Sequence, residues 1–264
     1  VLTMTPLPQI LVAPNGAKKT RADHPAVPVT IPEIVATAKA CFAAGAGGIH
    51  AHVRDAAGGH VLDAGLYREL VAELGRQVPE MVVQITTEAV GRYAPAEQRQ
   101  VVRDVLPKAA SVALKEMLPD DADTAEAAGF YAFAREAGIA LQHILYAAAD
   151  VDRLARMIEA GVIPRGDTEV LFVLGRYSAD LESDPADLLP FLDALARLRA
   201  IVPAEFMVCA FGRSETAALE AALQAGGKAR VGFENSLWMA DGRRARDNAE
   251  RVAEIAALAR RLEA

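Results

Sequence analysis

The segment Gly-Gly-Ile-His-Ala-His-Val-Arg-Asp, residues 47–55, sets two imidazoles one residue apart in a run that is otherwise small and apolar until its last two positions. In a β-strand successive side chains point to opposite faces, so His50 and His52 share one face while Ala51 and Val53 share the other. Two neighbouring imidazoles can grip one metal ion. A third, oxygen ligand would leave a catalytic ion with open positions for water or substrate. The pair also reads as two unrelated, hydrogen-bonded histidines, and spacing alone does not separate these readings.

The elements that would position such a pair recur along the whole chain. Short β-rich runs cover 9–14, 47–53, 80–87, 110–116, 139–146, 169–175, 205–211 and 229–235. Longer amphipathic stretches cover 31–45, 66–77, 95–106, 124–138, 150–161, 184–202, 214–227 and 247–264. The first helix has Pro32 at its start and ends on Gly45, as helix boundaries prefer. Eight strand–helix repeats without a linker predict an α/β fold, a single-domain (β/α)8 TIM barrel spanning 1–264. An open doubly wound sheet fits less well, because Val-Ala-Pro-Asn-Gly-Ala-Lys-Lys-Thr after the first strand is not the G-x-G-x-x-G fingerprint.

With 264 residues, 52% of them hydrophobic, the chain can bury one large core. A net charge of −7 and the lack of a basic stripe argue against nucleic acid. Cys41 and Cys209, far apart in apolar surroundings, read as reduced thiols rather than a disulfide framework. No apolar run reaches membrane-spanning length and no secretory pattern opens the sequence, so a cytoplasmic protein with no membrane partner is expected.

A barrel gathers its chemistry at the C-terminal ends of the strands. That zone holds Asn15, Lys18 and Lys19; Thr86, Thr87 and Glu88; Lys115 and Glu116; His143 and Tyr146; Arg176 and Tyr177; Arg213, Ser214 and Glu215; and Glu234 with Asn235. Strand eight closes against strand one, which neighbours strand two. Glu234 can therefore complete a His-His-Glu site, or instead pair with Arg54 or Arg230.

The segments 45–71 and 226–242, with 15–38 and 209–227, resemble the β-keto acid cleavage enzymes over nearly the whole chain, in order. The resemblance implies a TIM barrel holding Zn2+ or another divalent metal on His50, His52 and Glu234. It implies a Claisen-type exchange in which a β-keto acid and acetyl-CoA give acetoacetate and a new acyl-CoA. Zinc would polarise the keto oxygen and stabilise enolate charge. Arg230 matches the family arginine, a fixed cation able to hold a carboxylate or polarise a carbonyl. Homo-oligomers, dimer or tetramer, are also implied.

Several positions depart from the family pattern. Asn235 stands where the family often has an Asp that works with the arginine in proton abstraction, and an amide is no base near neutral pH. Glu116 and His143 are the candidate replacements, with rim hydrogen bonding as their alternative role. Thr86, Thr87 and Glu88 replace a small, glycine-rich run that cradles the substrate carboxylate, and Lys18 stands where the family often has Glu. Asn15 joins these threonines and Glu88 as an expected substrate contact. Arg213 and Ser214 open a helix whose N-terminus could bind an anion such as a CoA phosphate, or simply be capped by Ser214 with Glu215 in the first turn. Asp55 is expected to orient a loop or a histidine N–H, and His24 and His60 to be solvated. Trp238 and Met239 are expected in the core or at a subunit contact, and Tyr146 as a structural hydroxyl. Two other functions remain open: hydrolysis on an amidohydrolase-like barrel, favoured only by His143 on strand five, and a non-catalytic, metal-stabilised binding protein.

Overall fold

In the computed structural model, which describes residues 6–120 and 124–264, eight parallel strands close into a barrel in sequence order. They are β1 (Ile10–Val12), β2 (Gly48–Ala51), β3 (Val82–Ile85), β4 (Ala109–Ala113), β5 (Ala140–Leu145), β6 (Thr168–Leu174), β7 (Ala204–Ala210) and β8 (Lys228–Val231). β1 pairs with both β2 and β8, which closes the ring. The helices are α1 (Ile31–Ala44), α2 (Ala64–Gln77), α3 (Pro95–Val105), α4 (Leu114–Met117), α5 (Thr124–Glu136), α6 (Ala148–Glu159), α7 (Leu188–Arg199), α8 (Glu215–Gln224) and α9 (Asn248–Glu263). The predicted single-domain TIM barrel is the observed fold.

Strand alternation sorts the core into two layers. Leu11, Ala109, Ala140, Leu171, Met207 and Cys209 fill the barrel lumen. Residues of the opposite parity, such as Val12, Ile49, Val112 and Phe172, pack outward against the helices. Phe172 stacks there between Phe191 of α7 and Phe206, at centroid distances of 4.7 and 5.6 Å. Helix α1 begins on a capping box in which the Thr30 hydroxyl accepts from Glu33 N–H, and ends on Gly45 in the left-handed region.

Predicted boundaries are corrected: the strand expected over 229–235 stops at Val231, which leaves Glu234 and Asn235 beyond it. The strand expected over 110–116 stops at Ala113, and the chain turns into α4, closed by Leu118 N–H donating to Leu114 O at 2.9 Å. Glu116 is therefore helical. The helix expected over 184–202 is a 3-10 turn, Pro185–Asp187, followed by α7. Asp184 caps the turn by accepting from Ala186 N–H at 2.8 Å.

Candidate metal centre and active site

His50 lies in β2 and His52 one residue past its end, and both rings turn into the barrel mouth. Their Nε2 atoms are 3.1 Å apart, and each is 3.6 Å from Glu234 Oε2. Glu234 reaches this point because the chain turns sharply after β8. Gly232, at φ +144°, lies so close to Ala13 O that a Cβ would sit 2.4 Å from it. Glu234 N–H then donates to Ala13 O at 3.1 Å, tying the turn to β1. Across the cleft Gly16, at φ +62°, leaves room that a Cβ would take from the Glu234 side chain.

The surrounding hydrogen bonds leave this cluster bare at its centre. Gln84 Nε2 donates to Gln142 Oε1 at 3.1 Å, so Gln84 Oε1 accepts the His50 Nδ1–H at 2.8 Å. His50 Nε2 is then a lone pair. Arg230 donates to Glu234 Oε1 at 3.0 Å, and Glu234 Oε2 is buried without a hydrogen-bond partner. Burial holds the His50 imidazole down at about 4 and His52 well below the ordinary histidine range. Both rings are thus neutral near pH 7, the ligating form. Neutral nitrogens and an orphaned carboxylate oxygen converging within 4.8 Å fit a divalent cation. The two alternatives for Glu234 are both realised, one oxygen on Arg230 and the other on the candidate metal position.

Other predicted residues sort by where the barrel places them. Thr86, Thr87, Glu88 and Glu116 line the same pocket, as do Asn15, Arg230 and Asn235. Asn15 is a clamp: its Nδ2 donates to His52 O at 2.8 Å and to Pro28 O at 3.2 Å, and its Oδ1 accepts from His52 N–H at 3.4 Å. The Thr86 hydroxyl accepts from Glu88 N–H, and the Thr87 hydroxyl donates to Ser111 O at 2.8 Å. Glu116 Oε2 accepts from Gln98 Nε2 at 2.7 Å. Asn235 Oδ1 accepts from Arg230 Nη2 at 3.4 Å, so the amide helps aim the guanidinium. Burial, then the nearby Glu234 carboxylate, push Glu88 up to about 7. Cations ring the mouth: Lys18, Lys19 and Arg176 line it, and Lys115 sits 4.0 Å from the Tyr146 ring centroid and 4.4 Å from that of Tyr177.

Several expectations are corrected. His143 points outward from β5 into the helix layer, 5.7 Å from the Tyr131 ring of α5, while Gln142 and Ile144 face inward. It is no candidate base, and the hydrolase alternative loses its one supporting residue. Arg213 and Ser214 do not line the pocket. The anion seat beside them is taken by Glu182, whose Oε2 accepts from Arg213 N–H at 2.7 Å, while the Arg213 guanidinium covers the Trp238 ring at 3.6 Å. The Ser214 hydroxyl makes no capping bond. His24 and His60 are buried rather than solvated. His24 Nε2 lies 2.9 Å from Ala245 O, and its ring packs against Phe233. His60 contacts His52, and sequence reasoning missed it. The signal was the Asp-Ala-Ala-Gly-Gly turn between them, a hairpin that folds the chain straight back.

The structure is a TIM barrel with a His-His-Glu cluster at the C-terminal ends of its strands that could hold a metal ion. The chain belongs to the β-keto acid cleavage enzyme family, whose sequence profile matches residues 9–264. It is 26% identical to the 3-keto-5-aminohexanoate cleavage enzyme of Acetoanaerobium sticklandii over 266 residues, covering 95% of this chain and 91% of that one. It is 28% identical to the 3-oxoadipate:acetyl-CoA acetyltransferase of Cupriavidus necator, over 94% of this chain and 87% of that protein. The ternary complex of ObcA with a C4-CoA adduct and oxalate superposes with a TM-score of 0.68 at 17% identity, and shares the fold. That match covers 87% of this chain but only 62% of the longer ObcA chain. Among the described residues no helix is long and apolar enough to cross a membrane.

Proposed function

We propose that the protein is a zinc-dependent β-keto acid:acetyl-CoA exchange enzyme, producing acetoacetate and an acyl-CoA. The observation that carries this reading is the bare centre between His50 Nε2, His52 Nε2 and the partnerless Glu234 Oε2. It agrees with the family, and acetyl-CoA as co-substrate follows the name of the Cupriavidus relative. When bound, zinc supplies Lewis-acid polarisation of a keto oxygen and stabilises enolate charge.

The chain's own residues do the rest. Arg230, held by Glu234, Asn235 and Cys209, presents a fixed cation to the substrate carboxylate or a developing oxyanion. Lys18, Lys19 and Arg176 draw anionic substrates to the mouth. Glu116, a pocket carboxylate anchored by Gln98, takes the proton from the carbon beside the keto group, since Asn235 is no base. The proposal includes a cytoplasmic homo-oligomer; the free, buried thiols Cys41 and Cys209 suit a reducing compartment.

Incubating the zinc-loaded protein with acetyl-CoA and a panel of β-keto acids tests the reading. Acetoacetate formed only when both partners are present is the expected result. Hydrolysis without acetyl-CoA, or tight binding with no turnover, would replace it with the hydrolase or the binding-protein reading.

A further inference from the structure

The turn after β2 returns the chain to the histidine it has just left. Asp55 Oδ1 accepts from the N–H groups of Ala57 and Gly59, at 2.9 and 2.8 Å, and Asp55 N–H donates to Gly59 O at 2.8 Å. Arg54 and His60 therefore pair as an isolated antiparallel bridge. His60, 6% exposed, lies against His52 with ring centroids 5.1 Å apart.

The proton on His60 is fixed by one group that can only accept. His60 Nε2 is 2.9 Å from the backbone carbonyl of Glu88, so Nε2 carries the hydrogen and Nδ1 of the neutral ring holds a lone pair. That lone pair faces His52 Nδ1 at 3.3 Å. Two lone pairs do not bond, so His60 holds His52 only in the tautomer with the hydrogen on Nδ1; the other tautomer would donate Nε2–H to His50 Nε2, 3.1 Å away, and leave the His60 contact unbonded. The Glu88 carboxylate, 4.0 Å from the same atom, is out of hydrogen-bond reach. With the hydrogen on Nδ1, His52 Nε2 is bare, facing His50 and Glu234.

We propose that His60 is a positioning residue that accepts the Nδ1–H of His52, fixing the tautomer and ring angle that aim Nε2 at the metal and so setting the affinity of the site. The two ligand histidines are then held in different ways. His50 rests on the Gln84 amide, which can turn over; the His52 relay ends on a carbonyl that cannot. The affinity part of this inference rests on the metal reading above, whereas the tautomer part does not.

Two measurements on the full chain test it. In the metal-free protein with 15N-labelled histidine, long-range 15N–1H correlation is expected to show His52 protonated on Nδ1; an Nε2–H tautomer overturns the proposal. In competition with a chelator, His60→Leu is expected to bind Zn2+ about 10- to 100-fold more weakly than wild type. His60→Gln, whose amide offers both an acceptor and a donor, is expected to restore most of that loss. Affinity of His60→Leu within about twofold of wild type, well short of the 10- to 100-fold expected, sinks the proposal, as does no recovery in His60→Gln. Wild-type protein that binds no Zn2+ removes the proposed function instead, and the spectrum still decides the hydrogen-bond relay.

Discussion

Two buried clusters in this barrel each set an arginine against a carboxylate, to opposite ends. Behind β8, Arg251 donates to Glu215 Oε2, Glu254 Oε2 and the Thr216 hydroxyl, with Arg251 and Glu215 both fully buried. That guanidinium stands between two carboxylates, and its charge is answered. At the barrel mouth Arg230 answers only one oxygen of Glu234, and the other oxygen and two imidazole nitrogens face a shared gap. The paired cluster joins α8 to α9; the unpaired one has the donors to take a cation. The difference lies in the two imidazoles and in the lone pairs that they and Glu234 leave free.

The largest effect expected is on the unpaired cluster. His50→Ala or His52→Ala removes a nitrogen ligand, so Zn2+ affinity should fall by more than about 100-fold, beyond what losing an outer-shell partner costs. Turnover should go with it while far-UV circular dichroism stays near wild type. Full metal occupancy in either variant breaks the contrast. Next comes the paired cluster. Arg251→Ala leaves the Glu215 carboxylate buried without its cation and should cost about 3–5 kcal/mol in urea unfolding. A loss no larger than that of an exposed ion pair, such as Arg197 with Asp152, would show that the cluster does not hold α8 to α9.

How much of this the sequence makes legible follows from the range of each interaction. The barrel is legible because its eight strands and the long helix after each announce themselves locally, whereas the short α4 is hidden in a run that reads as strand; the H-x-H parity holds although His52 sits just past the strand end. Glu234 is legible through closure of the barrel and the family resemblance. His143 is not, because Gln142 and His143 are adjacent polar residues in an otherwise apolar strand, and period-2 alternation cannot say which faces the lumen. Only the pairing of Gln142 with Gln84 decides it. The anion seat at Ser214 looks open locally, and the carboxylate that fills it comes from Glu182. No local pattern carries such a contact.

A smaller effect separates base from ligand within the mouth. Glu116→Gln keeps the side chain within reach of Gln98 but removes the proton acceptor, so kcat should fall about 100-fold with Zn2+ affinity unchanged. An unchanged rate removes Glu116 as the base.

The smallest effect is a pH slope, and it sharpens the comparison inside the active cluster itself. His50 is held by burial at about 4, below its ordinary 6.5, so in the metal-free protein its contribution to stability is present above pH 6.5 and is lost as pH falls through 4. Glu88 is pushed by burial and by Glu234 to about 7, above its ordinary 4.5, so its contribution is full below pH 4.5 and is lost as pH rises through 7. Between pH 4.5 and 6.5 the two oppose each other. Glu88→Gln should therefore make the metal-free protein gain stability with rising pH more steeply than wild type over that window. His50→Gln should tilt the slope the other way, each by at most about 1.4 kcal/mol per pH unit for one proton. Urea midpoints at a series of pH values read both slopes. Parallel curves for all three proteins would mean that these two groups titrate alike in the folded and unfolded chain, and that the neutral imidazole at the heart of the site owes nothing to its burial.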